Sequence, residues 1–338
     1  MAAGPGQSYS TLPRTKHRTK PVSTRLDEQG ENEPTLPSRR VLAHPATVDR
    51  RKILWPYAIS LAVYHLLACF ALIPWLFSWT GVALAFAGLY LFGTLGINLC
   101  YHRLLTHRGF SCPRWLEHGL ALLGVCCLQD TPARWVAVHR LHHQHSDDDP
   151  DPHSPLVTFF WGHVGWLLVE NRQVNSVLTY DRYARDVLKD RFYFAFERNL
   201  LWVWVNLLQW IVFFGSGLAV GWYRGTLMDG VQFGLSLLVW GVFVRTVAVW
   251  HITWSVNSAT HLWGYRNYET DENSRNNWLV ALVSNGEGWH NNHHADQRSA
   301  AHGHRWWEFD VTYLTILLLE KVGLATDVVR PNQHVGEA

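Results

Sequence analysis

Four apolar blocks, at about residues 53–77, 79–101, 200–222 and 227–250, arrive as two close pairs in a chain of 338 residues. Each block offers the roughly 20 residues needed to cross a bilayer core, so the pattern predicts two helical hairpins embedded in a membrane. Mean hydropathy is only −0.07. A polar amino-terminal tail and histidine-rich connections dilute the four blocks, which describes an integral membrane protein with a large wet portion. A net charge of +2, with no basic stripe interleaved with aromatics, argues against a nucleic-acid partner and for lipid. The five cysteines, Cys69, Cys100, Cys112, Cys126 and Cys127, are odd in number and lack metal-type spacing, and they read as reduced thiols in apolar surroundings.

Residues 1–50 carry Ser, Thr, Pro, Arg and Lys without apolar periodicity and are expected to form a disordered basic tail. Residues 51–331 make one membrane domain, and 332–338 a short carboxy-terminal tail. Arg39, Arg40, Arg50, Arg51 and Lys52 precede the first block, which places the amino terminus in the cytoplasm. Each hairpin returns the chain to that side, so the carboxy terminus is expected there too. Between and after the hairpins the sequence predicts an interfacial helix at 115–128, an amphipathic connection at 171–199 and a hydrophilic, lid-like segment at 265–277. A return to the membrane surface follows at 278–283, and the apolar run at 311–319 is too short to span.

Histidines cluster at the polar ends of these blocks: His102 and His107; His139, His142 and His143; His290, His293 and His294. Asn257 and His261 add a pair four residues apart. Residues three and four apart share a helix face, so the members of a cluster can converge. Neutral imidazole suits zinc, copper, nickel and iron, and nine candidates exceed what one tetrahedral zinc needs. Two metal ions are the simpler reading. The fold expected is an all-α integral membrane protein, four transmembrane helices beneath a cytosolic helical cap that holds a di-metal site. Asp147, Asp148 and Asp149 read as an acidic solvated loop, and Asp151-Pro152 as turn chemistry. Glu287 reads either as an acceptor that orients a ligand imidazole or as a backbone cap. His145, His153, His163, His251, His302 and His304 fall outside the ligand pattern and are read as structural or as partners of ligands.

With these residues in place the chain resembles the membrane-bound fatty acid desaturases with three histidine boxes, in particular the delta-9 branch of stearoyl-type acyl-CoA and acyl-lipid enzymes. The resemblance covers about residues 54–331. Besides the boxes it rests on Trp135-Val136-Ala137, Asp151-Pro152-His153-Ser154-Pro155, Gly162-His163-Val164-Gly165-Trp166, Asn257-Ser258-Ala259-Thr260-His261 and Gly286-Glu287-Gly288-Trp289. It implies a di-iron centre with ligands His102, His107, His139, His142, His143, His261, His290, His293 and His294, and with Asn257 reaching a metal through water. It also implies an oxygen-dependent dehydrogenation with O2 as co-substrate. Two hydrogens leave neighbouring methylenes of a saturated acyl chain, by default at delta-9, and a cis double bond and water result. No catalytic side chain is expected beyond the metal centre, because an unactivated C–H bond offers an acid, base or nucleophile no foothold.

Two departures bear on the substrate. The animal acyl-CoA branch carries a basic and an acidic residue immediately before its second box, where this chain has Ala137 and Val138. The third box, Trp289-His290-Asn291-Asn292-His293-His294, is closer to bacterial and plant members. A fatty acyl lipid is therefore expected ahead of acyl-CoA. The sequence lacks a haem-binding His-Pro-Gly-Gly, so an external ferredoxin or cytochrome b5 is expected to supply electrons. A gap-free match places Phe86 and Tyr90 near the closed end of an acyl tunnel, with Tyr90 about 18 Å from His102 at 1.5 Å per residue and limiting chain length. Three other functions fit part of the pattern. A membrane di-iron hydroxylase of alkyl or lipid substrates would yield an alcohol, a membrane zinc hydrolase would hold one zinc, and a metal carrier would spread its histidines through the bilayer.

Overall fold

The computed structural model describes residues 41–332. The expected tails at 1–40 and 333–338 lie outside the described residues. Residues 41–50, placed in the tail by their composition, belong to the fold instead. Leu42 is buried and its N–H donates to the Leu156 carbonyl (3.1 Å). Val48–Ile53 (β1) pairs antiparallel with Val169–Asn171 (β2). The partners that order this stretch sit more than a hundred residues away, so local periodicity carries no trace of them.

Four helices are long and apolar enough to cross a membrane. The first hairpin is α1 (Trp55–Leu72) and α2 (Trp79–Thr106). Between the hairpins come α3 (Arg114–Val125) and α4 (Pro132–His145). The second hairpin is α5 (Leu201–Arg224) and α6 (Leu227–His261). The 28 residues of α2 and 35 of α6 exceed the roughly 20 that cross a hydrocarbon core of about 30 Å. Both helices therefore run on past the bilayer, on the same side, and carry their histidines with them. The apolar pattern fades where α2 and α6 leave the membrane, which is earlier than where they end.

The pair α5 and α6 packs through glycines. A Cβ on Gly217 would fall 2.7 Å from Gly234 Cα, and one on Gly221 would fall 2.6 Å from the Asp229 carbonyl oxygen. Only bare backbone allows that approach, the usual way helices gain contact where lipid removes the hydrophobic drive. The cap is completed by short helices at Val177–Tyr183, Arg185–Leu188 and Arg191–Arg198, then by α7 (Trp278–Val283), α8 (His290–Ala295) and α9 (Val311–Lys321). Side-chain caps fix several starts: Thr131 accepts from the Arg134 N–H, Asn277 from Val280 and Asp310 from Tyr313. Leu99, Leu104, Val136 and Ala137 bury the cap against the outer half of α2. Trp278, Leu279 and Leu282 of α7 and Leu314 and Leu318 of α9 stay exposed, as suits helices resting on a membrane surface.

Candidate metal centre

Helices α4 and α8 each carry two histidines four residues apart with a third between them, and helical geometry sorts all three. The outer pair shares a face, while the third points about 100° round from its neighbour. His139 and His143 accordingly join His102, His107 and His293, whereas His290 and His294 join His142 and His261. Each helix gives its pair to one group and its odd histidine to the other, which interlocks the two sites. All nine rings are buried. Within each group one nitrogen of every ring lies within 4.8 Å of the others.

His102 and His107 need a different device. Five residues apart, they would sit about 140° from each other on an α-helix. From Leu89 to Thr106, however, α2 is wound wide, and the His107 N–H donates to the His102 carbonyl (3.1 Å). This π-type turn brings the two ring centroids to 4.8 Å.

The donor set fits metal ions better than it fits a hydrogen-bonded histidine cluster. The Nδ1–H of His102 donates to Glu287 (2.5 Å), that of His142 to Asp151 (3.0 Å) and that of His261 to Asp147 (2.9 Å). In a neutral ring each such bond fixes the tautomer and leaves Nε2 as a bare lone pair. Those lone pairs face other ring nitrogens: His102 Nε2 lies 3.1 Å from His293 Nε2, which is 3.0 Å from His143 Nε2. His261 Nε2 lies 3.0 Å from His290 Nε2, which is 3.1 Å from His294 Nε2. Two nitrogens each about 2.1 Å from one ion and at right angles to each other are about 3.0 Å apart. His107 Nε2 and His142 Nε2 are buried with no hydrogen-bond partner. Burial first, then neighbouring histidines, holds His107, His139, His143, His290, His293 and His294 well below the usual imidazole range. Neutral imidazole is the form that ligates.

The acidic loop is where the structure departs most from the sequence reading. Asp147 is buried, not solvated, and Asp151, which does make the expected turn, is buried as well. Besides His261, Asp147 accepts from the Ser154 hydroxyl (2.6 Å) and the Asn273 N–H (2.8 Å), while Asp151 accepts from the Asp147 N–H (2.8 Å) and the His153 N–H (3.0 Å). Burial alone would raise both carboxyls, but the histidines they serve outweigh it, and both stay below the usual carboxylate range. Asp148 and Asp149 are exposed, as read. The missed signal was stoichiometric: nine candidate ligand imidazoles need acceptors for their second nitrogen, and the acids nearest a box are the first candidates. Asp147→Asn should weaken metal retention roughly 10–100-fold, read by competition with a chelator. Unchanged retention would return Asp147 to an ordinary loop role.

Glu287 settles in its orienting role, with Arg103 behind it: the guanidinium donates to Glu287 Oε1 (2.6 Å), Asp310 Oδ2 (2.9 Å) and the Ala300 carbonyl (2.7 Å). His302 lies beside the same carboxylate, its Nδ1 3.4 Å from Glu287 and its ring 4.3 Å from that of His293. His153 stacks on His142 at 4.3 Å and is pushed down to about 3 by burial and by that neighbour. The lid-like segment brings Glu272 within 3.6 Å of His294 Nδ1.

A cavity reaches this centre from between α1, α4 and α6, with Leu61, Trp135, Trp250 and Trp254 in its apolar wall and His139, His153 and Asn257 among its polar groups. Asn257 stands one turn before His261 on α6. Phe86 and Tyr90 do not line this space. Phe86 is 71% exposed, and the Tyr90 hydroxyl shares a hydrogen bond with Thr315 of α9 (2.9 Å). The expected 18 Å from Tyr90 to His102 used α-helical rise, whereas the helix is wound wide from Leu89 on. Tyr90→Ala should leave the chain lengths of the products unchanged, and a shift to longer products would restore Tyr90 to the acyl path.

Known proteins agree with this geometry. The fatty acid desaturase family profile matches residues 77–311. A sn-1 stearoyl-lipid 9-desaturase of Anabaena variabilis is 42% identical over 84% of this chain and 96% of its own length. A sn-2 palmitoyl-lipid 9-desaturase of Nostoc sp. (strain 36) is 41% identical over 84% of this chain and 93% of its own. An acyl-CoA C20 Delta5-desaturase of Anemone leveillei is 36% identical over 86% and 89%. Four membrane-length helices, nine converging imidazoles and a profile match over most of the chain have one common explanation: the chain belongs to the fatty acid desaturase family.

Proposed function

We propose that the chain introduces a cis double bond, at the delta-9 position, into a saturated acyl chain esterified in a membrane lipid. The observation that carries the reading is the aromatic-walled cavity with His139 and Asn257 in its surface. An acyl chain offers only apolar contact, and this is the wall that would receive it next to the ligands. His102, His107, His139, His143 and His293 would hold one iron, and His142, His261, His290 and His294 the other, with Asn257 acting through water. When bound, the irons supply the activation of O2 that an unactivated C–H bond requires. The chain would aim the imidazoles through their carboxylate acceptors, while Trp135, Trp250 and Trp254 in the cavity wall would exclude water and orient the substrate.

Two lines support lipid over acyl-CoA: the relatives that act on stearoyl- and palmitoyl-lipid, and Ala137 and Val138 where a charged pair would hold CoA. Acyl-CoA is the second reading, favoured by the Anemone leveillei relative. The basic residues Arg50, Arg51 and Lys52 ahead of α1 favour a cytoplasmic amino terminus, and with it a cytoplasmic metal site and carboxy terminus. A ferredoxin or cytochrome b5 would supply the electrons. Purified enzyme with a reducing chain, given vesicles of a distearoyl glycerolipid or stearoyl-CoA in parallel, should form alkene within the intact lipid. Alkene in the CoA ester alone would replace the lipid reading.

A further inference from the structure

The turn between α3 and α4 is held more firmly than a short connection needs. Leu128 (φ 51°) and Asp130 (φ 68°) both take left-handed backbone, with Gln129 between them. Residues with a Cβ adopt that conformation at a cost and keep it only where the surroundings over-determine it.

The surroundings do so from two sides. Three carbonyls at the end of α3 accept bonds from the second hairpin: Val125, which also accepts from the Leu128 N–H (3.1 Å), from Asn206 (3.2 Å), Cys126 from Arg245 (3.1 Å), and Cys127 from the Trp250 indole N–H (2.7 Å). This gives the fully buried Arg245 its task, since its other donors reach the Gly241 carbonyl and Gln209. From the opposite side the Asp130 carboxylate accepts from the Tyr57 hydroxyl of α1 and pairs with Arg134 of α4 (3.3 Å). Arg134 is anchored in turn on Asn175 (2.8 Å).

What this clamp holds is a wall of the cavity. Leu128, Gln129 and Asp130 all line it, and Gln129 donates across to the Thr253 hydroxyl of α6 (3.0 Å). A methylene chain has no polar mark along its length, so once its ester end is seated an enzyme chooses one pair of carbons through the shape and rigidity of the channel. We propose that Asp130, acting with Tyr57 and Arg134, is a positioning residue that fixes this turn and thereby sets the position of the double bond. The inference rests on reading the cavity as the acyl site.

Tyr57→Phe removes one hydroxyl, and Asp130→Asn removes the charge that faces Arg134 while keeping the shape. Wild type should give one positional isomer. In both variants the share of a neighbouring isomer should rise roughly tenfold, with iron content per chain unchanged. Alkene at the wild-type position alone, made more slowly, would overturn the proposal. If Asp130→Asn does not accumulate, the isomer distribution of Tyr57→Phe decides. Absence of alkene from wild type would instead strike the functional reading on which this one stands.

Discussion

His293→Ala should abolish desaturation and release iron, the first and larger of two expected effects. The His293 ring is fully buried, and its Nε2 faces those of His102 (3.1 Å) and His143 (3.0 Å). It is the odd histidine of α8, the one that crosses to the five-histidine group while His290 and His294 serve the other. Alanine leaves a hole with no donor at the point where the two sites interlock. The loss of iron affinity should exceed the roughly 10–100-fold that removal of an outer partner costs. Metal analysis of the purified variant beside its product profile reads both. Two irons retained with undiminished alkene would remove His293 from the ligand set.

Arg103→Leu should produce the largest loss of stability. Arg103 is about 1% exposed and bonds Glu287 and Asp310 at once. Leucine would leave two buried carboxylates without their cation, and breaking a buried pair by removing one partner costs about 3–5 kcal/mol. Glu287 would also lose the group that holds it toward His102, so iron should be lost together with the fold. Thermal unfolding in detergent measures the first effect and metal content the second. Arg108→Ala is the control: its pair with Asp186 is more than 40% exposed on both sides, and such pairs are worth at most about 1 kcal/mol. Equal destabilisation by the two substitutions would contradict the buried network.

The features legible in the sequence are those that local composition or spacing encodes. Four blocks of apolar residues gave four spans, and nine histidines at their ends gave the residues that the structure brings together. How the histidines divide was open to helical geometry, since the outer pair and the odd residue of His139, His142 and His143 already point to different sites. Other shortfalls share one cause, dependence on distant partners. Asp147 looks like a solvated acid until His261, 114 residues away, is placed on it. Leu42 looks like tail until Leu156 is found beside it. The wide winding that joins His102 to His107 was hidden for a different reason: it leaves no mark in hydrophobic periodicity, because that half of α2 is apolar on nearly every side.

The central claim, that nine histidines hold the centre that desaturates lipid acyl chains, meets its most direct test in a desaturase-deficient host. The host would express this chain or its His143→Ala variant, and membrane lipids would be profiled with double-bond positions assigned by derivatisation. The account predicts a new cis alkene at delta-9, in lipid, with the intact chain only. An alcohol in its place, or no new product from a chain shown to carry iron and supplied with a working electron donor, would contradict it.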